Sequence, residues 1–484
     1  MDFYKLAEII SSWVWGWPFI ILCLATGLYF SIRTRFLQLR YIKRMAQLLF
    51  QGKASKSGIS SFQAFALALS GRVGTGNIAG VATAIALGGP GAIFWMWIIA
   101  FFGAGTAYVE TSLGQIYKEK IDGIYRGGPA YYILKGLNNK WYAITFAIIT
   151  IIALGTLMPG VQANAISDAF MNSFSIDKRI TSGIVIFLLA LIIFGGVRRI
   201  ARVAEIITPF MAVGYVIISL FILIINYHQI PDMFMLIVKS AFGIHPALSG
   251  VVGAAITMGV KRGIFSNEAG QGTAPHAAAA AEVSHPANQG LVQAFSVYVD
   301  TLLVCSATAF MILITGMYKV FDTPEATTVV MDGMGLSTSM NEYGPIYTQL
   351  AVDTHIPGFG SAFVAIALFF FAFTTIMSYY FQAESNIYFL FPKKKTNFYA
   401  INFLRVAMLI ITYFTAINEM TLAWNMADIG VGLMAWLNLI AIILLQGIAL
   451  KTFDDYESQL KDAVIQPTFN PAKLHIKNTS EWEK

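Results

Sequence analysis

The sequence predicts an all-α polytopic membrane protein with about 11 transmembrane helices, and three observations carry the prediction. Hydrophobic residues make up 57% of its 484 positions and charged residues 12%, against roughly 25% charged in water-soluble domains. Apolar runs recur that reach about 17 residues or more, enough to cross the hydrocarbon as helices. Basic residues fall in alternate loops between these runs, the arrangement that orients a multi-pass chain.

In order along the chain, the first run, 11–31, follows Asp2, Lys5 and Glu8. That balance is the reverse of the basic start of a secretory leader, so the run reads as a retained span. Further spans are placed at 62–87, 91–113, 141–169, 180–197, 206–226, 239–283, 289–317, 357–385, 398–417 and 427–449. The loop after the first span holds Arg33, Arg35, Arg40, Lys43, Arg44, Lys53 and Lys56 with no acid. It is therefore assigned to the cytoplasm and the N-terminus to the outside. Alternation then puts inside Lys118, Lys120, Arg126, Lys135, Lys140, Arg198, Arg199, Arg202, Lys393, Lys394, Lys395 and the charged tail after Lys451. The loop 318–356, with Asp322, Glu325, Asp332, Glu342 and Asp353 against Lys319, falls outside.

Several functions are disfavoured by the same residues. The net charge of +6 sits in short loops, where it sets topology rather than binding nucleic acid. Cys23 and Cys305 both lie in apolar spans, so neither a disulfide framework nor a zinc or redox pair can be drawn. No HExxH, GxSxG or Walker lysine is present, which argues against an enzyme. A channel stays open as the reading from another class, although rings of like residues are missing, and saturable uptake separates the two.

An internal repeat organises the chain. Arg72, Asn77, Ala79 and Gly80 spell R-x4-N-x-A-G in the second span, and Arg262, Asn267, Ala269 and Gly270 spell it again in the seventh. Each copy opens a set of five spans, and an odd number of crossings makes the two sets point in opposite directions. That is the inverted-repeat architecture of secondary transporters. The chain then divides into an N-terminal helix and basic loop (1–61), a first five-helix repeat (62–227), a second (228–449) and a cytoplasmic tail (450–484).

Both copies predict broken helices. Gly71, Gly74, Gly76 and Gly80 interrupt the first, and backbone unwound at membrane depth needs substrate, ion or cavity water as partner. Close helix packing through Gly76 and Gly80 is the other explanation. The string Gly74-Thr75-Gly76-Asn77-Ile78-Ala79 also matches a dinucleotide fingerprint, but it lacks the preceding strand and the following acid. The second copy, from Gly263 to His276, is too polar to face lipid. Its Glu268 is either functional or a structural partner of the broken helix, and Glu110, Asp300, Glu384 and Asp428 raise the same question. Arg72 and Arg262 precede their breaks on opposite sides and are candidate gates through ion pairs, with Glu110, Glu384 and Asp428 as partners; snorkelling is the alternative. Thr374 and Thr375 place two hydroxyls in an apolar stretch, suited to a hard monovalent cation facing broken-helix carbonyls, or to bonds with their own helix.

At Ser70 to Gly80 and at Lys261 to His276 the sequence resembles the sodium/alanine symporter family, also called the alanine or glycine:cation symporters. The resemblance covers nearly the whole chain and extends to Gly127-Gly128-Pro129-Ala130-Tyr131-Tyr132, Val161-Gln162-Ala163-Asn164 and the Phe373 to Glu384 run. It implies a leucine-transporter-like five-plus-five fold with one added N-terminal helix. It also implies a plasma-membrane carrier that couples inward movement of alanine, glycine or serine to sodium by alternating access, with no cofactor and with oligomeric state left open. By the resemblance, Thr75, Gly76 and Asn77 face Phe265, Ser266 and Gln271 around the substrate, with Gln162 as a further pocket residue. Sodium falls to the backbone oxygens of Ser70 and Val73 and the hydroxyls of Thr374 and Thr375; the gating candidates, from the repeat itself, are Arg72, Arg262 and Glu268. Where the family usually has Gly-Trp after the paired hydroxyls, this chain has Ser378-Tyr379. Tyr379 is a smaller wall with a hydroxyl, so a sodium-coupled glutamine symporter is the alternative within the family.

Overall fold

The computed structural model describes residues 3–52, 54–323, 328–333, 336, 343–418 and 420–483. The topology assignments of Asp2, Lys53, Glu325 and Glu342 fall outside the described residues. Among these, eight helices are long and apolar enough to cross a bilayer: Lys5–Arg33, Gly91–Ile116, Lys140–Phe174, Val197–Ile225, Pro286–Thr315, Gly360–Leu390, Lys394–Ala416 and Ala423–Lys461. The other three expected spans fall on the 16-residue helix Lys178–Ile193 and on two segments that the chain breaks into shorter pieces.

Two runs are divided at points the sequence did not mark. The first is divided into Phe3–Val14 and Trp17–Arg33, with Pro18 at the start of the second piece, where its missing N-H is tolerated. The run placed at 239–283 is four elements: Ile230–Ala241, a 3-10 turn Pro246–Val251, Val252–Asn267 and Ala274–Ala280. Apolar composition alone could not register these interruptions, because a helix end and a helix interior share it.

The Gly91–Ile116 helix is the hub, packed by Trp17–Arg33, Val252–Asn267 and Pro286–Val297. Small residues set that closeness. A Cβ at Gly259 would lie 2.5 Å from the Ala92 carbonyl, and one at Gly263 would lie 2.5 Å from Ile99 Cγ2. Small-xxx-small packing thus operates on the seventh run. A Cβ at Gly80 would meet nothing nearer than 3.7 Å, whereas one at Gly76 would lie 3.1 Å from Ser266 Cα, so close packing accounts for Gly76 and not for Gly80. Around the bundle, Ile206, Phe210, Val213, Ile217, Leu220 and Ile224 are all exposed at alternating spacings of four and three. An outward apolar stripe at helical period is a lipid-facing surface.

On the face assigned to the cytoplasm, short backbone pairings tie separate segments together. Ile59 N-H donates to the Ala280 carbonyl and Glu282 N-H to the Ile59 carbonyl, each at 2.9 Å, which joins the feet of the two broken segments. The hairpin Glu119–Ile121 with Ile124–Arg126 lies beside them. The tail folds back here as well: Trp482 Nε1 donates to the Gln115 carbonyl at 2.9 Å, and Lys118 Nζ lies 4.6 Å over the Trp482 ring. Burial there pushes the Lys118 ammonium down to about 8.

Candidate functional site

The two breaks meet at the centre of the bundle. The helix Ser61–Arg72 starts on a capping box made by Ser60 and Gln63 and ends where Val73 turns extended, at ψ 92°. A π-helical turn, Gly76–Gly80, follows and leads into Val81–Gly88. In the second segment, Val252–Asn267 ends on Glu268 in the left-handed region, at φ 56°, and helix resumes at Ala274. A Cβ at Gly76 would lie 3.1 Å from Ser266 Cα, so the bare backbone of one break touches the other.

Side chains satisfy the backbone that the breaks release. Asn77 Oδ1 accepts from the Gly74 N-H at 2.8 Å, and Gln162 Oε1 from the Thr75 N-H at 2.9 Å. Asn267 Oδ1 accepts from the Ala269 N-H at 3.0 Å, and Gln271 Nε2 donates to the Ile264 carbonyl at 2.5 Å. Glu110 closes the second break: its carboxylate accepts from Gly270 N-H at 3.2 Å, Gly272 N-H at 3.0 Å and Asn438 Nδ2 at 2.7 Å. Gly272 has φ 82°, a conformation that L side chains adopt only under strain.

Several buried polar atoms at this junction have no hydrogen-bond partner among the described residues: Thr75 Oγ1, Gln271 Oε1, Asn267 Nδ2, Glu268 Oε1 and Trp424 Nε1. Orphaned polar atoms of both kinds, acceptors and donors, are what a zwitterion would satisfy. Phe265 is buried beside them with its ring 4.8 Å from that of Trp424. Tyr379 is buried and lies close enough to the Glu268 carboxylate to interact with it.

The two threonines part company. Thr375 Oγ1 donates to the Ser70 carbonyl at 2.8 Å and lies 3.3 Å from the Val73 carbonyl. Both hydroxyls lie within reach of the Phe371 carbonyl of their own helix, Thr375 Oγ1 at 3.0 Å and Thr374 Oγ1 at 2.9 Å, but Thr374 has no bond to the first break. Ser70, Val73 and Thr375 are therefore together at the break, with Thr374 turned into its own backbone. A Cβ at Gly74 would collide with Thr375 Oγ1 and come within 2.8 Å of Gln162 Oε1, so only glycine leaves room for this contact.

The arginines differ in the same way. Arg262 donates to Asp428 Oδ2 at 2.8 Å and lies over Trp424 at 4.4 Å, while Lys261 takes the same carboxylate at 2.7 Å. Arg72 makes no ion pair among the described residues. Its guanidinium donates to the Gln293 carbonyl at 2.9 Å and to the Ser296 hydroxyl, and the expected pairing with Glu110 or Glu384 does not occur. Glu110 is already occupied by backbone, and Glu384 is taken by Arg126 at 3.4 Å and Arg405 at 3.7 Å. These two ion-pair clusters lie at opposite ends. Lys261 reaches Ser11 beside the start of the first span. Arg126 is on the hairpin strand that follows the helix Gly91–Ile116, and Gly105 of that helix already abuts Ser31 near the first span's other end. Sequence reasoning also passed over Asp300 as a centre of contacts, and Cys305, read as packing, lies 3.2 Å from Ser266 Oγ.

The model of the sodium:alanine symporter family matches residues 1–471. The chain belongs to the sodium:alanine symporter family. Over 484 residues this symporter is 54% identical to the carrier protein YrbD of Bacillus subtilis (strain 168), covering 99% of this chain and 98% of that one. It is 50% identical to a sodium/proton-dependent alanine carrier protein of Bacillus sp. (strain PS3) over 441 residues, 91% of this chain and 97% of that one. In fold it is similar to MhsT, solved in complex with L-phenylalanine, with a TM-score of 0.57 over 83% of this chain and 98% of that one at 13% identity. The symporter thus has a leucine-transporter-like fold, and it is a sodium-coupled transporter rather than an enzyme.

Proposed function

We propose that this symporter carries alanine, or glycine or serine, into the cell with sodium across the plasma membrane, its N-terminus outside and its C-terminus in the cytoplasm. The observation that supports it best is the meeting of Thr375 Oγ1 with the Ser70 and Val73 carbonyls at the first break. Three hard oxygens converge there where helical hydrogen bonding has stopped, which suits sodium. Beside them, Thr75, Gly76 and Asn77 face Phe265, Ser266 and Gln271. The substrate carboxylate would draw on the N-H groups of the unwound backbone, and its ammonium on Gln271 Oε1 and Thr75 Oγ1, with Gln162 holding the first break. Tyr379 and Glu268 would form the polar wall, and the approach of the Phe265 ring to within 3.3 Å of a Cβ at Gly76 suits alanine better than glutamine.

Alternating access needs one closed end at a time. Arg262 with Asp428 is the gate proposed on the outer side. Arg126 with Glu384 supplies an ion pair on the inner side, where Arg72 was expected to act. Removing Arg262 leaves Asp428 buried with Lys261 alone, so Arg262→Ala is expected to lower the uptake rate about tenfold, on the order of 1.4 kcal/mol. If Arg262→Ala and Arg72→Ala both leave rate and alanine affinity unchanged, gating is the wrong role for these residues.

The direct test is uptake of labelled alanine, glycine, serine and glutamine into proteoliposomes with and without an inward sodium gradient. Saturable, sodium-dependent uptake with alanine, glycine or serine preferred is the expected result. Preference for glutamine would reassign the substrate, and flux independent of any gradient would point to a channel or uniporter.

A further inference from the structure

A hollow opens in the lipid-facing surface beside the Arg126–Glu384 ion pair. The helices Lys140–Ile152 and Lys394–Ala416 both pack against Gly360–Leu390. Where the three meet outward they leave a groove of about 480 Å³, walled by Ile148, Ile152, Ile387, Phe391, Ala400 and Phe403. Its volume is that of a ligand site, roughly 300–1,000 Å³, and its lining has no polar side chain other than Tyr399. From Lys394 to Phe403 the helix rises about 14 Å, within half of a hydrocarbon core of about 30 Å. The groove therefore lies at the depth of the acyl chains of a single leaflet, and hydrocarbon rather than water is what fills an apolar hollow there.

The charge at its foot has one sign. Stepping down the helix by turns from Phe403 passes Ala400 and Tyr399, then Thr396, and reaches Lys393 at the N-cap. Lys393, Lys394 and Lys395 are all exposed, and none enters an ion pair among the described residues. The sequence has no Asp or Glu between Glu384 and Glu419. An apolar trough that ends on three unpaired ammonium groups is complementary to a molecule with a hydrocarbon chain and an anionic head. A free anion would leave the trough unused, and a zwitterionic lipid would leave the lysines unbalanced.

We propose that this groove holds an acyl chain of an anionic phospholipid whose phosphate is met by Lys393, Lys394 and Lys395. The site bears on the ion pair behind it. Ile387 follows Glu384 by less than one turn of the same helix, and the neighbouring Tyr388 ring lies 3.5 Å from the Arg126 guanidinium. From the third helix of the groove Arg405 reaches Glu384 at 3.7 Å. A chain seated between Ile387 and Phe403 braces the two helices that share Glu384, so the lipid favours the state in which this end is closed. The site does not depend on which amino acid is carried.

The test uses the intact protein in mild detergent, equilibrated with equal amounts of phosphatidylcholine and phosphatidylglycerol and weighed by native mass spectrometry. The parent should retain phosphatidylglycerol in preference. Replacing Lys393, Lys394 and Lys395 by Gln should weaken that preference roughly fivefold for each lysine removed and leave phosphatidylcholine able to bind. Ala400→Trp fills the groove and keeps the lysines, and it should lose both lipids. Ile152→Trp, at an exposed position of the same wall, serves if Ala400→Trp does not fold. Glycerol phosphate, a head without chains, should not compete. Hydrogen exchange in the hairpin 119–126, which carries Arg126, should be slower with phosphatidylglycerol than with phosphatidylcholine in the parent and equal in Ala400→Trp. Equal retention of the two lipids by the parent overturns the site. Phosphatidylglycerol retained undiminished by both tryptophan variants also overturns it, because the lysines then act as surface charge alone. A dimer that either tryptophan dissolves gives the groove to a second copy of the chain and overturns the lipid. Equal exchange with the two lipids in the parent overturns the bracing of Glu384.

Discussion

Thr375→Val is expected to raise the sodium concentration needed for half-maximal alanine uptake by roughly ten- to a hundredfold, the equivalent of about 1.5–3 kcal/mol for a lost contact to a charged group. The Thr375 hydroxyl spans the Ser70 carbonyl at 2.8 Å and the Val73 carbonyl at 3.3 Å. Valine keeps the branched shape and removes only the oxygen. Thr375→Ser, which restores the oxygen, should return sodium affinity to within a few-fold of the parent. Thr374→Val should change it far less, because that hydroxyl bonds the Phe371 carbonyl of its own helix without also meeting the Ser70 or Val73 carbonyl. Gly74→Ala offers an independent approach from the opposite wall, since its new methyl would collide with Thr375 Oγ1. The measurement is the sodium dependence of uptake in proteoliposomes. Equal sodium affinity in Thr375→Val and the parent would take the ion away from the first break.

The second large effect is structural and falls on Glu110. Two backbone N-H groups of the unwound stretch, at Gly270 and Gly272, end on this one carboxylate, together with Asn438 Nδ2. The surrounding hydrocarbon and apolar side chains offer no acceptor to replace it. Glu110→Ala leaves all three donors unsatisfied, at about 1–3 kcal/mol for each buried group. The variant should unfold in detergent at a markedly lower temperature than the parent. Glu110→Gln retains one acceptor oxygen but turns an NH2 toward a donor, so its loss should be intermediate. Thermal unfolding of the purified variants followed by tryptophan fluorescence decides it. If Glu110→Ala melts with the parent, the carboxylate is not what holds the second break.

A shift in stability without a shift in sodium affinity for Glu110, and the reverse for Thr375, would separate scaffold from ion site. Both residues are buried polar groups in apolar surroundings, and burial alone does not distinguish them. What each accepts from or donates to does.

The membrane fold was legible in the chain because apolar length is a direct physical requirement of crossing hydrocarbon. The glycine-rich strings at 71–80 and 263–272 marked both breaks for a similarly local reason: backbone freedom is a property of the residue itself. Lys178–Ile193, at 16 residues, and the division of the run at 239–283 were less legible, since composition does not register where a helix stops within an apolar stretch.

The partners of the polar residues are a different matter. Thr374 and Thr375 are neighbours in sequence, yet successive residues point about 100° apart around a helix, so only one of them reaches the break. Arg72 and Arg262 occupy the same place in the repeated motif, but Asp428 stands opposite one and the Gln293 carbonyl opposite the other. Asp300 was visible as an intramembrane acid, while its contacts depend on the π-helical register of Tyr298–Cys305, which rotates the following residues relative to an ordinary helix. By itself, then, the sequence determined that this is a membrane-spanning symporter with two interrupted helices, because those features follow from apolar length, glycine content and motif. Tertiary structure decided which hydroxyl meets the first break, which acid holds the second and which arginine is paired, because each is settled by helix phase and by which neighbour arrives across the bundle.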